Sequence, residues 1–264
     1  MAETDAPLQF LKVSHPADGI AVVLLSRPRS LNALNNGLVV ELGVLLDRLA
    51  GTGLRALILA GDGDRAFAAG ADIKEMQHHT AGNAEAMALQ GQAVLRKLET
   101  FPAPTIAAVN GFALGGGCEV AMACDLVLAS ATAQFGQPEV KLGVIPGFGG
   151  TWRLARRVGR QRALEIMMTG RTVDAEEAVR IGIALEVVSG DVVDAAVTLA
   201  TRISRQGPVA VRLLRGVVDR FEAAAQERAL ADEAQSFGQC FDTDDQTEGM
   251  AAFVEKRRAR FTGR

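Results

Sequence analysis

Short apolar runs alternate with amphipathic segments through the first two thirds of the chain. Five of these runs predict strands, at residues 8–13, 20–25, 54–60, 105–109 and 125–129. Turn residues at 16–19 separate the first two strands, which predicts that they pair. A helical period predicts helices between the later runs, at residues 36–49, 84–99 and 116–124. Strands that alternate with helices indicate an α/β fold with covered sheets.

The pattern changes after about residue 191. Four helices are predicted there with no strand between them, at residues 191–204, 209–220, 222–237 and 244–258. The sequence therefore predicts a core of residues 1–190 followed by a helical region of residues 191–264.

Composition narrows the class of protein. The 264 residues include 48% hydrophobic and 22% charged residues, which argues against disorder. The formal net charge of −3 lacks the basic surplus of a general nucleic-acid binder. No stretch approaches the roughly 20 apolar residues that a membrane span needs.

Cysteine usage and the N-terminus indicate the compartment. Cys118, Cys124 and Cys240 cannot form a fully paired disulfide framework, which is typical of a reducing compartment. The first ten residues contain Glu3 and Asp5, so neither a signal peptide nor a transit peptide is expected. Arginine outnumbers lysine by 23 to 5, as in high-GC bacteria. We therefore expect a cytoplasmic, bacterial protein.

Three glycine-containing segments hold the candidate chemistry, at residues 67–74 (FAAGADIK), 110–119 (NGFALGGGCE) and 134–151 (QFGQPEVKLGVIPGFGGT). Gly115-Gly116-Gly117 lies at the start of a predicted helix, where free backbone N–H groups favour negative charge. That charge belongs to a phosphate or to a developing oxyanion. Taken alone, the triplet is more often explained by tight packing of a loop onto a helix.

Nucleotide-loop and hydrolase motifs do not fit the sequence. Neither GxxxxGK[ST] nor Gly-x-Ser-x-Gly occurs. Gly61-x-Gly63-x-x-Ala66 follows a predicted strand, but a loop is predicted at residues 67–70 where a Rossmann site needs a helix. The histidines lack metal-ligand spacing and are expected to be solvated; they are His15, His78 and His79.

Two glutamates are candidate acid–base groups. Glu119 falls on the first turn of the predicted helix among apolar neighbours, and a buried carboxylate is costly unless it is paired or functional. Glu139 follows Pro138, which suits the first position of a helix. Each glutamate is also explained as an ordinary acid that complements a helix dipole. Asp72 and Lys74 are likewise explained as a surface pair.

Together these segments resemble the enoyl-CoA hydratase (crotonase) family, most closely its short-chain hydratases. The matching blocks follow in order over nearly the whole chain, at residues 27–34, 67–74, 107–119, 134–147 and 243–257. The resemblance implies a crotonase-type spiral of strand–strand–helix units, with a C-terminal helical region that forms a homotrimer or a hexamer of two trimers. It also implies an acyl-CoA thioester substrate, with no metal or redox cofactor, because coenzyme A is part of the substrate. No nucleic-acid or membrane partner is expected.

The resemblance further implies the site residues. The backbone N–H groups of Ala71 and Gly116 would form an oxyanion hole on the thioester carbonyl, and Glu119 and Glu139 would hold the attacking water. Substrate-binding residues would be Arg29, Leu31, Ala69, Asp72, Ile73, Lys74 and Gly147, together with Phe253 and Lys256 from a neighbouring subunit.

The expected reaction is syn addition of water to a trans-2-enoyl-CoA, which gives a 3-hydroxyacyl-CoA. Glu119 is assigned mainly to deprotonating the water and Glu139 to delivering a proton to C2. The alternatives are a 3,2-enoyl-CoA isomerase, which generally relies on one carboxylate at the position of Glu139, and a non-catalytic acyl-CoA-binding protein. Phe148 and Trp152 depart from the smaller or more polar residues common in the family, so the acyl chain length and the pathway stay open.

Overall fold

Ten strands form two sheets in the part of the chain that the computed structural model describes, residues 8–220 and 223–263. The strands are β1 (Leu11–Ala17), β2 (Ile20–Leu25), β3 (Ala56–Gly61), β4 (Ala66–Ala69), β5 (Thr105–Val109), β6 (Phe112–Leu114), β7 (Leu126–Ser130), β8 (Gln134–Gly136), β9 (Thr172–Asp174) and β10 (Glu186–Val188). The larger sheet has the order β1-β2-β3-β5-β7-β10 and the smaller has the order β4-β6-β8-β9. Neighbours run parallel except β1 with β2 and β8 with β9.

The helices of the described residues lie between and after these strands. They are α1 (Asn36–Ala50), α2 (Ile73–Met76), α3 (Ala81–Glu99), α4 (Gly116–Ala123), α5 (Gly150–Val158), α6 (Arg160–Thr169), α7 (Ala175–Ile181), α8 (Val192–Ser204), α9 (Pro208–Arg220), α10 (Ala223–Cys240) and α11 (Asp244–Val254). Two short 3₁₀ turns, Pro28–Ser30 and Glu139–Leu142, also border the site described below.

Consecutive strands alternate between the two sheets. β3, β5 and β7 lie in the larger sheet, and the strand after each of them, β4, β6 or β8, lies in the smaller one. Helical segments follow each pair of strands. The chain thus crosses from one sheet to the other once in each unit, which confirms the predicted spiral of strand–strand–helix units.

Apolar side chains cover both faces of the larger sheet. On one face, α1 and α3 pack with Phe67 and Phe135 of the smaller sheet into the main core. On the other face, Val192, Ala196 and Ala200 of α8 pack against β2, β3, β5 and β7. The helix that follows residue 190 therefore belongs to the packing of the core sheet, and the domain boundary at that residue stays a prediction.

Periodic segments of the sequence fold as predicted. The helix predicted at residues 36–49 is α1, which Asn35 caps by accepting a hydrogen bond from Leu38 N. The strands predicted at residues 20–25 and 105–109 have the bounds of β2 and β5. The four predicted C-terminal helices are present as α8 to α11, although α11 ends at Val254 instead of residue 258.

One predicted strand is shifted, although its pairing with β2 is confirmed, and one loop prediction is wrong. The first strand, predicted at residues 8–13, lies at Leu11–Ala17 because its antiparallel register pairs Leu11 with Leu25 and Ala17 with Ile20. The loop predicted at residues 67–70 overlaps β4, a short strand whose partner β6 comes from a distant part of the chain. Because a strand rather than a helix follows Gly63, the exclusion of a Rossmann site is unchanged.

Several smaller predictions concern single residues or termini. His15 and His78 are exposed, but His79 is half-buried with its ring centroid 6.3 Å from that of Phe241, so its predicted solvation is wrong. Glu3, Asp5 and the predicted helix start at Glu222 lie outside the described residues. Among residues 8–220 and 223–263, no helix combines the length and apolar character of a membrane span.

Candidate active site

A cavity of about 580 Å³ lies where the spiral meets the C-terminal helices. It collects segments that are far apart in the sequence: the 3₁₀ turn after β2, the end of β4, the start of α4, and the turn after β8. Of the predicted site residues, the cavity is lined by Arg29, Leu31, Ala69, Ala71, Asp72, Ile73, Lys74, Gly116, Glu119, Glu139, Gly147 and Phe253. Lys256 is not among its lining residues.

The glycine triplet combines two functions that the sequence left as alternatives. Gly115 joins β6 to α4 with φ of 49° and ψ of −126°, a conformation that suits glycine. Gly117 packs so closely on β4 that an added Cβ would overlap the carbonyl oxygen of Ala68. Between them, the backbone N–H of Gly116 lines the cavity and donates to no acceptor within the described residues. The triplet therefore serves packing and also presents a free donor at a helix N-terminus.

A second unpaired amide lies at Ala71, just after β4. The flanking residues pair with Leu34: Leu34 N donates to Gly70 O at 2.8 Å, and Asp72 N donates to Leu34 O at 2.9 Å. The N–H of Ala71 makes no hydrogen bond in the described part of the chain. Cα of Gly70 lies 3.6 Å from where a Cβ on Gly115 would be, so the two segments adjoin. Two free amides at one cavity can bind a carbonyl oxygen on which charge develops.

Glu119 is buried on the first turn of α4, with 2% of its surface exposed. Its Oε1 accepts hydrogen bonds from Phe148 N at 2.8 Å and from Gly150 N at 2.7 Å. Its Oε2 accepts none from the described residues and remains available to a water molecule. Burial, followed by the charges of Glu233 and Glu139, raises the pKa of Glu119 well above its ordinary value.

Glu139 lies on the 3₁₀ turn after β8 and borders the cavity from another side. The side-chain amide of Gln137, in the orientation that its hydrogen bonds favour, donates to both carboxylate oxygens at 2.8 and 3.1 Å. Burial, with a further contribution from the charge of Glu233, raises the pKa of Glu139 to about 8. The two glutamates interact electrostatically, so a proton bound by one affects the other.

Cationic side chains surround part of the cavity. Arg29 and Lys74 are exposed residues of its lining, as the resemblance implied. Lys141, two residues after Glu139 on the same turn, is a third exposed cation of the lining that sequence reasoning missed. Asp72 differs from these residues because its carboxylate is already engaged: it accepts from Lys74 N at 3.2 Å and pairs with Arg27 at 2.9 Å.

Phe253 reaches the cavity from α11 of the same chain, whereas the resemblance implied a neighbouring subunit. Its side chain is 60% exposed at the edge of the cavity. α11 packs directly on the 3₁₀ turn that holds Glu139, since an added Cβ on Gly249 would lie 2.5 Å from the carbonyl carbon of Leu142. Lys256 follows the end of α11 with φ of 56° and lies away from the cavity lining.

Apolar side chains line the rest of the cavity. They are Met76, Met87, Leu142, Val144, Phe148 and Phe237. Phe148 is buried and contributes directly, while Trp152 is half-buried on α5 and is not among the lining residues. Of the two residues that depart from the family pattern, only Phe148 therefore lines the cavity.

Sequence reasoning missed a third buried carboxylate, Glu233 on α10. It is 4% exposed and accepts hydrogen bonds from Gly149 N, from Thr151 N at 2.8 Å and from Thr151 Oγ1. Its helical spacing from Leu230 and Phe237 places it on the apolar face of α10, a signal that was present in the sequence. Burial raises the pKa of Glu233.

The chain is similar to enoyl-CoA hydratases in sequence and in structure. The family model described as "Enoyl-CoA hydratase/isomerase" matches residues 16–264. The short-chain-enoyl-CoA hydratase of Clostridium acetobutylicum is 44% identical over 241 residues, which cover 90% of this chain and 92% of that protein. The crotonyl-CoA hydratase of Syntrophomonas wolfei is 44% identical over 244 residues, 92% of this chain and 94% of the relative.

Solved structures show the same likeness. An enoyl-CoA hydratase from Bacillus anthracis superposes with a TM-score of 0.79 at 35% identity, over 97% of this chain and 100% of the other. One from Mycobacterium avium subsp. paratuberculosis superposes with a TM-score of 0.86 at 28% identity, again over 97% of this chain and 100% of the other.

Proposed function

The chain belongs to the enoyl-CoA hydratase/isomerase family, and on that premise we propose that it is an enoyl-CoA hydratase. It adds water syn across the double bond of a trans-2-enoyl-CoA and releases a 3-hydroxyacyl-CoA. The observation that carries this proposal is that Glu119 and Glu139 line one cavity together with the unpaired amides of Ala71 and Gly116.

The two amides stabilise the charge that forms during the addition. When the oxygen of water bonds to C3, the electrons of the C2=C3 bond move toward the thioester and place negative charge on its carbonyl oxygen. Two fixed N–H donors bind that oxygen, and one of them lies at a helix N-terminus. Loss of one such donor typically raises the barrier by about 3–4 kcal/mol.

The two glutamates move the protons. Glu119 is oriented by two hydrogen bonds to Oε1, so Oε2 accepts a proton from water as the water attacks C3. The two coupled glutamates share one proton, which Glu139, with a pKa of about 8, holds at neutral pH and delivers to C2 while Glu119 stays ionised. We propose that both glutamates act on one face of the bound double bond, so that the oxygen and the hydrogen add syn. We propose that the reaction needs no redox cofactor, because the addition of water oxidises and reduces nothing overall. It needs no metal, because the two amides polarise the thioester carbonyl in place of a Lewis acid.

The cavity also suits an acyl-CoA ester. Exposed cations at its lining, Arg29, Lys74 and Lys141, complement the phosphates of coenzyme A. The apolar side chains of Met76, Met87 and other lining residues complement the acyl chain. We propose that the net charge of the chain does not oppose this ligand, since a few placed cations are sufficient.

We further propose that the protein works as a homotrimer or a dimer of trimers in the cytoplasm of a bacterium. Five apolar side chains are exposed along α9 of the single chain: Val209, Leu213, Leu214, Val217 and Val218. A stripe of this kind on a soluble protein is typical of a buried subunit interface. The similar proteins described above come from bacteria, which supports a bacterial source for this chain.

A substrate panel tests the function. Hydration of crotonyl-CoA and longer trans-2-enoyl-CoA esters is followed as the loss of absorbance of the conjugated thioester. We expect turnover with at least one ester of the panel. A folded protein that hydrates none of them but converts 3-enoyl-CoA into the conjugated ester would be an isomerase, and one that binds the esters without turnover would be a binding protein.

A further inference from the structure

Two buried carboxylates accept hydrogen bonds from the backbone of one loop. The loop comprises residues 147–151, Gly-Phe-Gly-Gly-Thr, and is called the GFGGT loop below. Its amides alternate: the N–H groups of Phe148 and Gly150 donate to Glu119, and those of Gly149 and Thr151 donate to Glu233. The loop therefore forms a hydrogen-bonded bridge between α4 of the spiral and α10 of the C-terminal region.

Glu233 acts only as an acceptor in this bridge. Both of its oxygens take hydrogen bonds, Oε1 from Gly149 N and Oε2 from the N–H and the hydroxyl of Thr151. The amide of Gln92 also donates to Oε1, at 3.4 Å, and to Gly147 O at 3.1 Å. A carboxylate that only accepts is suited to the ionised form, and the neighbouring donors offset part of the cost of burial, which still raises its pKa.

Charged groups face Glu233 from several elements. Arg153 of α5 is 3% exposed and donates to Phe148 O, and its Nε pairs with Glu99 of α3 at 2.8 Å. Glu119 of α4 and Glu139 of the 3₁₀ turn are the other acids close enough to interact with Glu233. Arg153 interacts with Glu233 and Glu119, and Arg96 of α3 also pairs with Glu99 at 3.4 Å. A change of charge at Glu233 is therefore felt at both proposed acid–base groups.

We propose that Glu233 is a positioning residue for hydration: it fixes the GFGGT loop so that the amides of Phe148 and Gly150 orient Glu119 toward the water. The inference rests on the proposed function. It requires no contact between Glu233 and the substrate, and Glu233 is not among the residues that line the cavity.

Glu233→Gln separates this role from a general effect on stability. The side-chain NH₂ group of a glutamine at this position points at the N–H groups of Gly149 or Thr151, and two donors cannot form a hydrogen bond. The loop therefore shifts, and Glu119 loses its orientation. We expect kcat for crotonyl-CoA to fall about 10²-fold, with KM changed less than about threefold, because misplacement of a catalytic group affects the chemical step. Loss of the negative charge also lowers the pKa of Glu139, whose own donor lies outside the loop, so the limb of the pH–rate profile that Glu139 sets moves to lower pH.

Two further variants make the test specific. Glu227→Gln is the matched control, because Glu227 is exposed on the same helix and should leave kcat and the pH profile unchanged. Glu233→Asp keeps the charge but shortens the side chain, so kcat should recover in part while the pH limbs stay at their wild-type positions. Glu233→Asp also provides the kcat measurement if the glutamine variant does not fold. Wild-type kcat in Glu233→Gln, or a loss of kcat with unmoved pH limbs, would overturn the proposal.

A measurement without substrate keeps this inference distinct from the proposed function. The side-chain ¹³C signal of Glu119, assigned by its disappearance in Glu119→Gln, is titrated in the wild type and in Glu233→Gln. We expect both the ¹³C shift and the pKa of Glu119 to differ in the variant, because the loop amides that lower this pKa move and the charge that raises it is lost. An unchanged shift together with an unchanged pKa would overturn the positioning role. If the wild type hydrates no enoyl-CoA, the proposed function fails, and this titration still decides whether Glu233 controls Glu119.

Discussion

The two glutamates of the site, Glu119 and Glu139, differ in the hydrogen-bond donors that surround their carboxylates. Glu119 is held by two backbone N–H groups on one oxygen, which leaves the other oxygen in a fixed direction. Glu139 has the amide of Gln137 as its donor and lies on a short turn that borders the cavity. The pKa of both glutamates is raised, so the orientation fixed by two backbone N–H groups is the feature specific to Glu119.

Glu139→Gln tests the assignment of the proton donor. A glutamine cannot release a proton to C2, so kcat should fall by at least about 10²-fold while KM changes little. The measurement is the loss of thioester absorbance with saturating crotonyl-CoA. Glu176→Gln, the same change at an exposed residue of α7, should keep wild-type turnover. Near-normal kcat in the Glu139 variant would contradict the assignment.

The raised pKa of Glu139 also predicts how stability depends on pH. The ordinary pKa of 4.5 applies in the unfolded chain, and the folded value is about 8, so between them only the folded protein keeps this proton. The free energy of unfolding should therefore decrease as pH rises through that window, by at most about 1.4 kcal/mol per pH unit from this group. Urea unfolding across the window measures the slope, and Glu139→Gln should flatten it. An equal slope in both proteins would contradict the raised pKa.

At the residue scale, the sequence predicted the site from the ordered combination of its motifs and not from any single residue. Glu119 and Glu139 each had an ordinary explanation, and only their place among ordered blocks assigned them to one site. Glu233 was missed because its partners, Gly149 and Thr151, lie on a loop that meets α10 only in the folded chain. Lys141 was missed because an exposed lysine carries no distinguishing pattern.

At the scale of elements, period and pairing determined what could be predicted. Helices such as α1 follow from their own apolar stripe, because that stripe must face the core wherever the helix lies. The short strands of the smaller sheet have three or four residues each, too few for a period. Their structure comes from pairing with distant strands, which explains why β4 was predicted as a loop.

Contact between α3 and the cavity gives a prediction at this scale. Gly91 of α3 faces the ring of Phe148, and an added Cβ would overlap that ring. Gly91→Ala should displace Phe148 into the cavity, lower the free energy of unfolding by about 1–3 kcal/mol, and raise KM for longer enoyl-CoA esters. Thermal unfolding and the substrate panel measure these effects.

Gly82→Ala provides the matched control on the same helix. A Cβ at Gly82 meets nothing within 4 Å. Replacement of a helical glycine by alanine then contributes only its better helix propensity, a gain of up to about 1 kcal/mol. Opposite signs for the two variants would support the contact, whereas equal stabilisation by both would show that Phe148 moves without cost.

At the scale of the whole molecule, the C-terminal region takes part in the site as well as in the expected assembly. Glu233 and Phe237 of α10 and Phe253 of α11 all reach the cavity or the loop beside it. The sequence predicted these helices but treated residues 191–264 mainly as an oligomerisation region. Contacts between the ends of a chain are not visible in local patterns, which is why this double role appears only in the structure.

The last prediction concerns the exposed apolar face of α9. Arg215 anchors one side of this helix to the core by donating to Asp125 and to the carbonyl oxygen of Phe101, which leaves the stripe containing Leu213 and Leu214 exposed on the other side. If the stripe is the trimer interface, light scattering should give three or six times the chain mass of 27.8 kDa. Leu213→Asp should shift the protein to the single-chain mass, because an interface does not bury an unpaired carboxylate at low cost. Val44→Asp, the same kind of change at an exposed residue of α1, should leave the mass unchanged, and a wild-type protein of single-chain mass would contradict the proposed trimer.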